Sequence, residues 1–225
     1  MTAAVQLDTV ARTYNSGPAA VHALRGVSLT VPPGEMLAVC GRSGSGKTTL
    51  LSIIAGLDRP TSGQVWVEGH EVTGMGGDEL LRMRRERVAL VFQSFALLPM
   101  LSAAENVGLP LRLARKDPAS RERRARELLG LVGLSGREGQ RPYEMSGGEQ
   151  QRVAIARALA GSASVLLADE PTGQLDSQTA GQIMALLRQL SRDQGITVIV
   201  ATHDEALITA ADRVVEVRDG TLGPR

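Results

Sequence analysis

The chain has 225 residues, 43% hydrophobic and 22% charged, a composition typical of one folded domain or of one domain with a subdomain. Its 25 basic and 24 acidic residues nearly cancel and aromatic residues make up only 2%, which argues against a nucleic-acid-binding protein that uses a basic field or base stacking. The single cysteine, Cys40, excludes an internal disulfide, and the lack of a secretory signal or of an apolar run of ~20 residues predicts a soluble, cytoplasmic protein.

Strands dominate the first third of the chain. Alternating residues predict two half-buried antiparallel strands, with one face made by Val5, Leu7 and Thr9 and another by Val27, Leu29 and Val31. The apolar run 36–40 predicts a buried strand, and 48–55 predicts a helix that Gly56 ends. Short strands are expected at 65–67 and 88–92.

Helices are expected from about 93 to 160. Ser102 with Glu105 forms a capping-box pattern, and Asp117-Pro118 predicts the start of a helix that runs to Leu129. The arginine-rich stretches 82–87 and 121–126 are interpreted as solvated surface, because Glu122/Arg126 and Arg123/Glu127 have i,i+4 spacing.

Strand and helix alternate again toward the end of the chain. A strand is predicted at 165–168, a helix at 177–192, a strand at 196–201 and a hairpin at 214–222 with its turn at Asp219-Gly220. The whole pattern predicts a single α/β domain over 1–225: a mainly parallel sheet, an antiparallel N-terminal part, and a helical subdomain inserted at about 93–160.

The glycine-rich segment 41–48 predicts a phosphate-binding loop. It matches glycine, four residues, glycine, lysine and threonine, between a predicted strand and a predicted helix. Glycines allow successive backbone N–H groups to face phosphate oxygens, Lys47 supplies a compact positive charge, and Thr48 offers a hydroxyl to Mg²⁺. The expected nucleotide-binding residues are Gly41, Arg42, Ser43, Gly44, Ser45, Gly46, Lys47, Thr48 and Thr49.

Two adjacent carboxylates end the predicted strand 165–168. Asp169 is expected to hold Mg²⁺ through water, and Glu170 to orient and polarise an attacking water.

The decisive segment is Ser146-Gly147-Gly148-Glu149-Gln150-Gln151-Arg152, which is followed by a predicted helix and resembles the signature motif of ATP-binding cassette (ABC) proteins. The rest of the chain resembles that family in the same order: Tyr14, the phosphate loop, Gln93, the signature, Asp169-Glu170, Leu175-Asp176 and His203. The resemblance covers essentially the whole chain and implies the ABC ATPase fold, with ATP and Mg²⁺ as ligands.

The resemblance also implies individual roles. Tyr14 would stack on adenine, and Gln93 would sense the nucleotide and contribute to the metal site. Glu170 and His203 would be the catalytic pair, with His203 holding the γ-phosphate and the attacking water. Ser146, Gly147 and Gly148 would act on the nucleotide held by a second copy of the chain, since a signature followed by a helix N-terminus forms an anion site. Asp176 would also belong to the nucleotide-binding residues.

Other nucleotide-binding classes fit less well. A GTPase needs an Asn-Lys-x-Asp motif, and neither Asn15 nor Asn106, the chain's asparagines, lies in one. The segment between Lys47 and Ser146 has no room for the long coiled coil of chromosome-type cassettes. The expected function is ATP hydrolysis that drives a separately encoded membrane permease, with the chain attached through it to the inner face of the membrane.

In four segments, 12–14, 21–27, 91–99 and 168–173, the chain also resembles one branch of the family, the macrolide-export and lipoprotein-release branch. Gln174 departs from it, because that branch usually has asparagine there. An importer cassette, or one driving a non-transporting membrane partner as in cell division, shares most of these residues and stays open as an alternative.

Overall fold

A six-stranded sheet places the loops of the chain that carry its chemistry. The computed structural model describes residues 2–15, 17–204 and 208–224. The strand order is β10-β9-β3-β8-β7-β6, formed by β3 (Met36–Cys40), β6 (Val88–Val91), β7 (Val165–Asp169), β8 (Thr197–Ala201), β9 (Arg213–Arg218) and β10 (Thr221–Pro224). All neighbours are parallel except β9 and β10, the predicted hairpin. The carboxyl ends of β3, β6, β7 and β8 therefore share one edge.

A smaller antiparallel sheet has the order β2-β1-β4-β5, with β1 at Val5–Tyr14, β2 at Val21–Val31, β4 at Ser62–Val67 and β5 at His70–Glu71. The predicted inward face is wrong at Thr9. The pairing shifts between Leu7 and Val10, Thr9 is exposed with φ 47°, and Val10 takes the buried position. A bulge inserts one residue, so the alternation changes face there.

Two apolar cores lie on opposite faces of the larger sheet. Helix α1 (Lys47–Ile54) lies between the two sheets and packs with Leu37 and Val39, while α2 (Gly77–Glu86) covers the same core with Leu80 and Met83. Met36 faces the other way, toward a core built with α3 (Ala103–Leu113), α4 (Pro118–Leu131), α5 (Gly147–Ala158) and α6 (Ser177–Gln194). Among the described residues, no helix combines the length and apolarity that crossing a membrane requires.

The helical region is more divided than the sequence predicts. Residues 93–102 form no helix, and α3, α4 and α5 occupy the rest together with short 3₁₀ turns at Pro142–Glu144 and Leu159–Gly161. The predicted caps are confirmed: Ser102 Oγ accepts from Glu105 N at 3.2 Å, and Asp117 Oδ1 accepts from Ser120 N at 2.9 Å. Of the two expected ion pairs on α4, Arg126 does pair with Glu122, whereas Glu127 pairs with Arg124.

One buried amide holds the loop that precedes α3. Asn106 is fully buried, and its Nδ2 donates to the carbonyl oxygens of Leu98, Leu101 and Ser102 at 3.0–3.1 Å. Its Oδ1 accepts from Leu98 N at 2.8 Å. A single side chain thus supplies the hydrogen bonds that an irregular segment cannot make within a helix.

Replacing this amide should destabilise the protein. We expect Asn106→Ala to lower the free energy of unfolding by roughly 3 kcal/mol, because it leaves several buried backbone groups without partners. Urea unfolding measures this change, with Arg112→Ala, an exposed position on the same helix, as the control, expected within about 0.5 kcal/mol of the parent. Equal losses in the two variants would contradict the role given to Asn106.

Candidate functional site

An open cleft of about 1420 Å³ lies at the carboxyl edge of the parallel sheet. Most of the residues predicted from the sequence line it: Tyr14, Arg42, Ser43, Gly44, Ser45, Gly46, Lys47, Thr48, Thr49, Gln93, Glu170 and His203. They come from the ends of β1, β3, β6, β7 and β8, which the parallel pairing brings to the same edge. The cleft has the position at which open α/β sheets bind ligands.

The glycine-rich loop connects β3 to α1 and wraps the N-terminus of that helix. Gly46 caps α1 with φ 116°, a backbone conformation that L-residues rarely adopt. A Cβ atom built on Gly46 would lie 2.4 Å from the carbonyl oxygen of Ala23, so this position needs glycine for space as well. The loop is therefore pressed against β2 while its other side faces the cleft.

Lys47 is a buried cation, its side chain only 7% exposed. Its Nζ donates to the carbonyl oxygens of Gly41 at 2.8 Å and Arg42 at 3.2 Å, and Glu170 Oε1 lies 3.7 Å away. The two carbonyls provide only partial negative charge, so the ammonium favours an anion in the cleft beside it.

Glu170 begins the turn after β7. It has φ 47°, a strained value for a non-glycine residue, and its N–H donates to the carbonyl of Ala201 at 2.9 Å. Its Oε1 lies 3.0 Å from Nδ1 of His203, whose side chain is 72% exposed. One carboxylate oxygen thus faces both a fixed cation and an imidazole at the cleft surface.

Asp169, the last residue of β7, has an oxygen that lacks a partner. Its Oδ1 is buried, and no described residue donates a hydrogen bond to it. Burial raises the pKa of Asp169, an effect that the neighbouring Thr48 hydroxyl and Lys47 oppose and the charge of Glu170 reinforces. A bound cation would satisfy this oxygen, and carboxylate and hydroxyl oxygens are ligands that Mg²⁺ prefers, so Asp169 and Thr48 fit a magnesium site.

Tyr14 is fixed at the rim of the cleft by an acidic partner. Its hydroxyl donates to Asp58 Oδ2 at 2.6 Å, and Asp58 also pairs with the guanidinium of Arg12 at 2.7 Å. Burial by itself would raise the pKa of Asp58, yet hydrogen bonds from Tyr14, the Arg59 backbone and Arg12 hold it below its ordinary value. The Arg12 guanidinium carbon lies 4.4 Å from the centre of the Tyr14 ring, which leaves the tyrosine little freedom to turn.

The signature residues lie outside this cleft. Ser146 is the N-cap of α5, with its Oγ accepting from Glu149 N at 3.3 Å while Glu149 Oε2 accepts from Ser146 N at 2.8 Å. A Cβ on Gly148 would lie 2.4 Å from Thr179 Cγ2, so this glycine is also required by the packing of α5 on α6. Sequence reasoning assigned the signature glycines to anion binding alone and missed this contact.

Asp176 likewise lies outside the cleft lining, as the N-cap of α6. Its carboxylate accepts from the N–H groups of Gln178 and Thr179 at 3.1 and 3.0 Å and from the Thr179 hydroxyl at 2.6 Å. These bonds lower its pKa. The structure thus does not bring Ser146, Gly147, Gly148 or Asp176 to the cradle of the same chain, and their nucleotide contacts stay predictions.

Part of the cleft wall was not found from the sequence. Two further segments also line it: Ala20–Ala23 with Arg25, just before and within the start of β2, and Asp219–Thr221, the β9–β10 turn with the first residue of β10. The turn is joined to the phosphate loop, because Gly220 N donates to the Ser45 carbonyl at 3.1 Å. The sequence pattern indicated a turn at Asp219-Gly220 but carried no signal for this long-range contact.

Comparisons with known proteins identify relatives of the chain. A family model described as "ABC transporter" matches residues 24–173. The chain is 48% identical over 218 residues to the macrolide export ATP-binding/permease protein MacB of Rhodopseudomonas palustris and 45% identical over 218 residues to MacB of Escherichia coli. Each alignment covers 97% of this chain but 33% and 34% of the relative, so the chain spans about a third of the length of these relatives.

Solved structures show the same architecture. A dimeric post-hydrolysis state of the ATP-binding cassette MJ0796 bound to ADP and Pi superposes with a TM-score of 0.88 at 40% identity and covers 98% of both chains. A second dimeric structure of MJ0796, described as a bacterial ABC transporter cassette, has a TM-score of 0.88 at 41% identity over 97% of this chain and 96% of that one. The predicted ABC ATPase fold is confirmed.

Two glycines of the loop should differ in their tolerance of a methyl group. Gly44 and Gly46 both have positive φ, but a Cβ on Gly44 meets nothing within 4 Å, whereas one on Gly46 collides with the Ala23 carbonyl. We expect Gly44→Ala to cost about 1 kcal/mol of unfolding free energy and Gly46→Ala at least about 3 kcal/mol. Urea unfolding compares the two, and similar losses would contradict the packing described here.

Proposed function

Because this chain belongs to the ABC transporter family, we propose that it binds and hydrolyses ATP to drive a membrane permease of the macrolide-export type. The observation that carries the proposal is the buried Lys47 ammonium, held by two loop carbonyls and lying 3.7 Å from Glu170. An anion-binding cation next to a carboxylate is the arrangement that phosphate binding followed by hydrolysis requires.

Binding of the triphosphate would use the loop and the rim. Backbone N–H groups at the N-terminus of α1 and the Lys47 ammonium would bind the phosphates. The phosphate oxygens would add the negative charge that the Gly41 and Arg42 carbonyls supply only in part. Tyr14, held by Asp58, would offer its ring to adenine. The wall formed by 20–23 and 219–221 would close the other side.

Hydrolysis would depend on Glu170. Its carboxylate would orient a water molecule and take a proton from it, and His203 at 3.0 Å would keep the carboxylate aimed into the cleft. Thr48 and Asp169, with Gln93 at the cleft wall, would hold Mg²⁺, which neutralises charge on the phosphate oxygens when it is bound. The strained φ of Glu170 is consistent with a residue held for catalysis.

Two partners follow from the same reasoning. A second copy would supply the signature, since Ser146–Gly148 lie away from the cleft of their own chain and both MJ0796 structures are dimeric.

A membrane permease is the second proposed partner, and the names of the relatives, which are ATP-binding/permease proteins, support it. Exposed apolar side chains just before α3, Leu98 and Met100, suit such a contact. Docking there would place the chain at the inner face of a membrane.

The proposal is tested by separating ATP binding from ATP hydrolysis. We expect Glu170→Gln to keep ATP affinity within about threefold and to lose roughly 10²–10⁴ in turnover, because the amide accepts no proton. Fluorescent-nucleotide titration and phosphate release with MgATP measure the two quantities, and chelation of Mg²⁺ should abolish turnover in the parent.

Glu86→Gln is the matched control, because Glu86 is exposed at the end of α2. It should behave as the parent protein does. The absence of hydrolysis in the parent, or a Glu170→Gln turnover equal to that of Glu86→Gln, would refute the proposed function.

A further inference from the structure

Arg157, on the helix that follows the signature, holds two backbone carbonyls of a distant loop. Its Nη1 donates to the carbonyl oxygen of Ala96 at 2.6 Å and its Nη2 to that of Phe95 at 3.0 Å. Burial lowers the pKa of this guanidinium, and in the described part of the chain no carboxylate pairs with it. Two successive carbonyls suit the planar fork of an arginine, and a lysine could not bind both in the same way.

These carbonyls belong to a segment, residues 93–96, that begins in the cleft; we call it the Gln93 segment. Gln93 lines the cleft, and its Nε2 lies so close to Gly173 that a Cβ there would be 2.8 Å away. Gly173 N in turn donates to the carbonyl of Glu170 at 3.1 Å. One end of the segment is therefore packed against the turn that carries the proposed catalytic carboxylate.

The other end of the segment touches the signature. A Cβ on Gly147 would lie 3.6 Å from Cζ of Phe95, so the phenyl ring packs over the first signature glycine. Ala96, which follows, has φ 50°, a left-handed conformation that an alanine adopts only when its surroundings hold it there. The bond from Arg157 to the Ala96 carbonyl supplies such a restraint.

We propose that Arg157 is a positioning residue that ties the Gln93 segment to the signature helix. By holding the Phe95 and Ala96 carbonyls, Arg157 fixes the segment whose first residue, Gln93, lines the cleft, so that Gln93 keeps the position that hydrolysis needs. The inference rests on the proposed function.

A double-mutant cycle in the purified protein separates this role from a structural one. The variants are Arg157→Met, Gln93→Ala and the two combined, and the measured quantities are kcat with MgATP, the Kd of a fluorescent ATP analogue, and the melting temperature. We expect Arg157→Met to lower kcat about tenfold while Kd changes less than about twofold, and to cause no further loss of kcat once Gln93 is alanine.

Arg84→Met is the matched control. Arg84 also donates to a backbone carbonyl, that of Gly56 at 2.8 Å, but it lies on α2, away from the Gln93 segment. It should lower the melting temperature to a similar degree and leave kcat within about twofold of the parent. Arg157→Lys retains the charge but not the fork and should give a kcat between those of the parent and Arg157→Met; if Arg157→Met does not fold, the lysine variant takes its place in the cycle.

The experiment distinguishes a failure of this inference from a failure of the proposed function. A loss of kcat from the Arg157 substitution that is the same in both Gln93 backgrounds, a matching loss of kcat in Arg84→Met, or parent turnover in Arg157→Lys would overturn the inference while leaving the proposed function intact. A parent protein that does not hydrolyse ATP would overturn both.

Discussion

The ammonium of Lys47 is the charge around which the cleft is organised. It is almost completely buried, and its described neighbours are two carbonyls of its own loop and one oxygen of Glu170. A buried cation needs compensating charge, and carbonyl dipoles alone supply little of it. The parallel sheet meets this need by bringing the end of β7 next to the loop after β3, while the space beside the ammonium is left for an anion. In the proposed function, a bound phosphate and the carboxylate of Glu170 would both supply negative charge to this ammonium.

The same chain contains a second candidate anion site, the signature, which lies outside its own cleft. Ser146 caps α5, and two glycines follow it, yet none of them lines the cleft. Their packing on Leu175, Phe95 and Thr179 fixes α5 against α6, so the signature is held at a set place on the surface. In the proposed dimer, each chain would supply its cleft to one site and its signature to the other, and Arg157 joins the signature helix to the segment that begins in the cleft.

Features of the fold that depend on residue type and short-range spacing were predicted correctly from the sequence. The phosphate loop, the strand ending in Asp169-Glu170 and the helix caps at Ser102 and Asp117 follow from residue type and spacing, and the structure has each of them where expected. The bulge at Thr9 has no signature in an alternating pattern, and α2 was missed because few apolar residues mark its buried face. The contacts of Gly148 with Thr179 and of Gly220 with Ser45 join distant parts of the chain, and only the folded structure reveals them.

The claim that each active site is shared between two copies is tested most directly by mixing two inactive variants. Lys47→Ala removes the cradle's charge and Ser146→Arg blocks the signature, and both are made with Glu170→Gln so that bound nucleotide is kept. In a mixed dimer, the intact cradle of one chain meets the intact signature of the other, which restores one complete site. If the site is shared, the mixture should trap clearly more labelled ATP than either variant alone; trapping no greater than the average of the two would contradict a shared site.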